Sequence, residues 1–139
     1  MTPKRLQFGR TPQTPALERP GIVLSAAAGP FSLNNKAAVR IHGCARLAKQ
    51  DRPRDKTALA AGLFVTAVEA YRQVPVCANL IQDHVLFEED VIDTGEDVVI
   101  HFSFSLMDSL PIPEAPLTCF VHASFFSHVS NSLIVTLTG

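Results

Sequence analysis

The chain has no tryptophan and a single tyrosine among its 139 residues, which leaves little with which to stack nucleic-acid bases. It has no run of about 18 apolar residues, the length a helix needs to cross a bilayer. The opening MTPKRLQFGRTPQTPALERP carries positive charge but no apolar stretch follows it, which argues against a secretory leader. The chain therefore reads as cytoplasmic, with no membrane partner. Cysteines are few: Cys44, Cys77 and Cys119 are odd in number and widely spaced, fitting neither a disulfide framework nor a zinc finger. Buried thiols packing as small core residues are the expectation. No Gly-x-Ser-x-Gly elbow and no glycine loop that could cradle a phosphate occurs, so nucleophilic and nucleotide chemistry find no support.

The most informative absence is of positive charge in the second half. All twelve Lys and Arg residues lie at or before Arg72, beside only four acids, whereas from Gln73 onward there are nine acids and no Lys or Arg. The halves carry about +8 and −9, although the whole chain sums to −1. Such asymmetry speaks of contacts, not of fold. Two arrangements would satisfy it. Segments 40–56 and 83–97 could meet within one fold and neutralise one another. Alternatively they could occupy opposite faces, so that the basic face of one copy meets the acidic face of the next in a head-to-tail assembly. The residues that would carry such faces are Arg40, Arg46, Lys49, Arg52 and Arg54 on one side and Glu88, Glu89, Asp90 and Asp93 on the other.

What the chain does have is apolar content of 47% against 18% charged residues, enough to form a packed core in one domain. Residues 1–20, with four prolines and four basic residues, read as an extended or disordered basic arm. Residues 21–139 read as a single β-domain. In AAVRIHG (37–43), Val39 and Ile41 alternate with Arg40 and His42, the pattern of a half-buried strand. VVIHFSFSL (98–106) is clearer still, with Ile100, Phe102, Phe104 and Leu106 on one face and Val99, His101, Ser103 and Ser105 on the other. The segment 57–73 mixes alanines with β-branched residues; strand is preferred over helix for 62–71. MDSLPIPEAP (107–116) is a connector.

TCFVHASFF (118–126) sets Cys119, Val121, Ala123 and Phe125 on one face, and SLIVTLT (132–138) points Leu133, Val135 and Leu137 inward. With SHVSN as the turn, the two make a hairpin. This pair resembles the closing hairpin of immunoglobulin-like sandwiches, although the tryptophan of antibody-type domains is absent. The expected fold is all-β, an immunoglobulin-like antiparallel sandwich of about seven strands.

Three chemistries have candidate residues in the sequence. Cys119-x-x-His122 resembles the ligand loop of cupredoxins, with His42, His84 or His101 as a further copper ligand. Residues three apart in a strand point to opposite faces, however, so the pair cannot share a metal without a bend. His101 and His122, each followed by serine two residues on, could form a Cu/Zn or acid-base site if their strands pair. EEDVIDTGED (88–97) offers oxygen ligands for calcium outside the EF-hand pattern. No cofactor is expected. The reading is a non-enzymatic binding, adaptor or assembly module acting through its charged faces, with a protein or a second copy as partner and nucleic acid not expected. The alternatives are a metal-binding sandwich and a small β-domain enzyme with an unrecognised site.

Overall fold

The chain's computed structural model describes residues 6–27, 29–34, 39–51, 62–71, 75–79, 90–112 and 115–139. They form two β-sheets packed face to face. The first sheet contains β1 (Leu6–Phe8), β2 (Gly21–Ala26), β4 (Arg40–Ala48), β7 (Ile92–Asp93) and β8 (Asp97–Ser105). Its strand order is β1-β8-β4-β2, with β7 also on β8. The second contains β3 (Phe31–Ser32), β5 (Leu63–Glu69), β6 (Pro75–Asn79), β9 (Leu117–Phe125), β10 (His128–Val129) and β11 (Leu133–Thr138), in the order β3-β11-β9-β5-β6 with β10 also on β9. Seven of these strands are five residues or longer. The pairings are antiparallel except β3 with β11, which is parallel.

Period-two alternation explains the layering. On the first sheet Ile22, Leu24, Ile41, Ala45, Leu47, Val98, Ile100, Phe102 and Phe104 are buried, and from the second Leu63, Val65, Ala67, Cys119, Val121, Ala123, Phe125, Val135 and Leu137 meet them. Branched and aromatic side chains on a pleated surface fill the space between sheets about 10 Å apart. Gly43 is set by this packing. It lies opposite Phe102 in the β4–β8 ladder, and a Cβ at this position would sit 2.2 Å from the Phe102 ring. One end of the sandwich is closed by the helix α1 (Leu106–Ser109) and the segment after it, with Leu106, Leu110 and Ile112 buried.

The closing hairpin forms with one elaboration. The chain turns at Phe126–Ser127, pairs briefly as β10 with Phe125 and Ser124, leaves the ladder over residues 130–132, and returns as β11 opposite Val121. The break is used. Asn131 reaches across to the other sheet, where its Oδ1 accepts from Leu24 N at 2.9 Å and its Nδ2 donates to Leu24 O at 3.0 Å. Ser130 meanwhile holds β9 through its Oγ, which accepts from Ala123 N at 2.8 Å. The outer edge of β2 is thus closed by a side-chain amide.

The described part of the N-terminal arm is extended and packed. After β1 pairs with β8, Gly9 N donates to His101 O at 2.9 Å. The chain then crosses the outer face of the first sheet to reach β2 at the opposite edge, held on the way by Thr11 against His42 and by Leu17 O against Arg46.

Candidate functional site

The two outer faces of the sandwich differ in chemistry. On the first sheet, β4 turns Arg40, His42, Cys44 and Arg46 outward, and β8 turns Asp97, Val99, His101, Ser103 and Ser105 outward. This face is charged and largely covered by the chain itself. Arg40 Nη2 donates to Ser103 Oγ at 2.9 Å. Arg46 Nε donates to Asp97 Oδ2 at 2.6 Å, while its Nη1 donates to Leu17 O at 3.0 Å. Lys49 Nζ lies 2.7 Å from Asp93 Oδ2. Thus Arg46 and Lys49 meet acids of their own chain, which is the neutralising arrangement of the two considered for the charged segments. At Arg46, Lys49 and Asp93 the topology accounts for the contact: β4 and β8 are neighbours in one sheet, and β7 follows on β8. Asp90 lies just before β7. Arg52, Arg54, Glu88 and Glu89 lie outside the described residues.

Beneath the arm, Cys44 and His101 are directly opposed across the β4–β8 ladder. Cys44 is buried, and burial pushes its thiol pKa up, with Arg46 and Arg10 opposing. Burial and the Arg10 charge both pull His101 below the usual imidazole value; burial and Arg40 do the same for His42. Both imidazoles are therefore held towards the neutral form. His42 Nδ1 lies 3.3 Å from Thr11 Oγ1.

The proposed pairing of His101 with His122 does not occur. His101 sits on β8 of the first sheet, facing out under the arm, and His122 sits on β9 of the second sheet, facing out on the other side. The serine alternation that suggested the pair is real on each strand, but the strands belong to different layers. Cys119 faces the core and His122 faces away from it, as strand geometry requires. In the turn after β7, Gly95 N donates to Asp93 Oδ1 at 2.8 Å and Asp97 N to Thr94 Oγ1 at 3.0 Å. Among the described residues no three His, Cys, Asp or Glu side chains gather as a metal ion would need.

Of the described candidate residues, His122 is the one that falls on the outer face of the second sheet, and the rest of that face is new to the structure. Its strands present Phe64, Thr66 and Val68 from β5, Thr118, Phe120, His122 and Ser124 from β9, and Ile134, Thr136 and Thr138 from β11. Ile134 lies opposite Phe120, and Phe120 opposite Val68, so an apolar row crosses three strands. Val129 and Phe64 flank Ser124. The exposures are large for apolar side chains: 68% for Ile134 and Val129, 41% for Phe120 and 38% for Phe64. Among the described residues, no Asp, Glu, Lys or Arg points outward from β5, β9 or β11. The signal was present in the sequence as Phe64, Phe120 and Ile134, each standing at the outward phase of its strand where polar residues are usual.

No protein-family model matches the chain. No curated protein and no solved structure matches it either.

Proposed function

We propose that the protein is a non-enzymatic binding and assembly module, and that its contact surface is the uncharged outer face of the second sheet, with a second copy of the chain as the partner. The observation that carries this reading is the row of exposed Ile134 and Phe120 with half-buried Val68, on a face whose described strands β5, β9 and β11 point no ionised carboxylate, ammonium or guanidinium outward. Burying such a face against itself across a two-fold axis removes no Asp, Glu, Lys or Arg charge from water and opposes no like charges of those residues. A charged partner surface would instead lose hydration without gaining a counter-ion. With β6 beyond β5, four strands about 4.8 Å apart and roughly six residues long give about 400 Å² in projection. Doubled, this lies at the small end of specific interfaces, so the pair is weak and reversible. The two-sheet layering and the closing β9–β11 pair support an immunoglobulin-like version of the sandwich.

Sedimentation velocity over a wide protein concentration range, at low and at high salt, tests the reading. The expected result is a monomer–dimer equilibrium that salt does not weaken, and that the double substitution Phe120→Lys, Ile134→Lys abolishes while the far-ultraviolet circular dichroism is unchanged. A monomer at every concentration overturns it. So does an oligomer that salt dissolves, which would return the contact to the charged residues.

A further inference from the structure

We infer that acid separates the two copies through His122, an inference that rests on the outer face of the second sheet being the contact between them. His122 occupies the middle of that face. In the order β3-β11-β9-β5-β6 the central strand is β9, and half-buried His122 stands at its outward phase between Phe120 and Ser124. The row of Ile134, Phe120 and Val68 lies on one side of it along the strands, and Phe64 and Val129, which flank Ser124, lie on the other. A second copy that covers both apolar groups must therefore cover the imidazole between them.

Directly opposed residues of a ladder share one side of the sheet, so the register tells what faces His122. Thr66 of β5 stands opposite it, and Cys77 of β6 stands opposite Thr66 in the same row. Towards β11 the ladder is interrupted over Ser130, Asn131 and Ser132 and resumes with Leu133 opposite Val121. Two ionisable groups close by take the inward phase instead: Glu69 stands opposite Cys119 and His128 opposite Phe125, both of which are buried. Among the described residues, then, no carboxylate of β5, β9 or β11 stands on the face to accept a hydrogen bond from an imidazolium.

Imidazole is the side chain that ordinarily changes charge between about pH 5 and pH 8. Neutral, it enters a contact as a polar group, at a cost comparable with that of the threonines and serines around it. Protonated, it carries a charge with no counter-ion into the contact, and a two-fold pair repeats that charge from the second copy. Pairing therefore selects the neutral form and is linked to release of a proton from each copy. Each unit of pH below the titration weakens the pair by up to about tenfold per copy.

Sedimentation velocity over a wide protein concentration range at about pH 7.5 and about pH 5.5 tests the switch on wild type and His122→Gln, whose side chain is polar and stays neutral. The wild-type dimer should be at least about tenfold weaker at the lower pH, whereas His122→Gln should associate equally at both. His42→Gln with His101→Gln, which removes the acid sensitivity of the arm, should keep the wild-type loss, and so should His128→Gln. Wild type that dimerises equally at both pH values overturns the switch and leaves the contact standing. A loss in acid that persists in His122→Gln, or a His122→Gln that is monomeric at both pH values, also overturns the switch. Wild type that is monomeric throughout overturns the switch and the contact together.

Discussion

At the scale of single residues, Asn131 is the side chain whose role exceeds what its type suggests. In sequence it is one turn residue among Ser127, Ser130 and Ser132, and nothing local distinguishes it. In the fold its amide forms two hydrogen bonds with the Leu24 backbone on the other sheet, which is knowledge of a partner 107 positions away. Asn131→Ala should cost about 1–3 kcal/mol, because Leu24 N and O at the edge of β2 lose their partner. Asn131→Asp should be at least as damaging: it keeps the acceptor for Leu24 N but turns a second oxygen on Leu24 O. Urea unfolding of the wild type and the two variants measures both, and an unchanged midpoint for Asn131→Ala would show that water replaces the clamp without loss. Gly43 has the same lesson in reverse. Its need for glycine comes from the Phe102 ring on the next strand, and alternation alone places it only as one more inward position of β4.

At the scale of elements, the strands were legible because their signal is local. Alternation placed β4, β8, β9 and β11 with the correct faces inward, and β-branched content decided for strand in β5. The arm was less legible, because its contacts lie in strands that follow it at long range and its prolines suppress any periodicity. It covers His42 and His101, and this makes its docking sensitive to acid. Both histidines have pKa values lowered by burial, with Arg40 facing the one and Arg10 the other, and Cys44 opposite His101 stays neutral. Above the ordinary imidazole value of about 6.5 folded and unfolded chains are both neutral there, and the stability is at its full value. As the pH falls below that value towards the lower folded-state pKa values, the unfolded chain takes up protons first and stability is lost. The urea midpoint should therefore drop between about pH 7.5 and about pH 5.5. His42→Gln with His101→Gln should flatten that drop, and a wild-type midpoint that stays level across this window would contradict the coupling.

At the scale of the whole molecule, the sandwich sorts the three cysteines into three environments: Cys44 under the arm, Cys119 between the sheets, and Cys77 exposed on β6. Only the last departs from the expectation of buried thiols, and it does so because Cys77 lies opposite the outward-facing Thr66 of β5 and so points away from the core. A disulfide reagent added to native protein should label one thiol rapidly and the other two only on unfolding, and Cys77→Ser should remove the rapid phase. Rapid labelling of two or more would mean that the arm or the sheet interface opens readily. Layer membership also keeps the two histidines apart. His101 and His122 share a local pattern, but whether two strands pair or belong to separate layers is decided by the crossover between them, here α1 and the segment that follows, and no local pattern reports it. Arg46 and Lys49, by contrast, are set by the same topology beside Asp97 and Asp93.

The path of the arm also has a mechanical consequence. It leaves β1 at one edge of the first sheet and enters β2 at the other, so a pull applied at residue 6 is not transmitted directly to the core. The load falls first on the short β1 ladder, next on the Gly9–His101 bond, then on Thr11 against His42, and then on the Arg46 grip at Leu17. These contacts yield one after another, like stitches, and tension reaches β2 only when the last of them has parted.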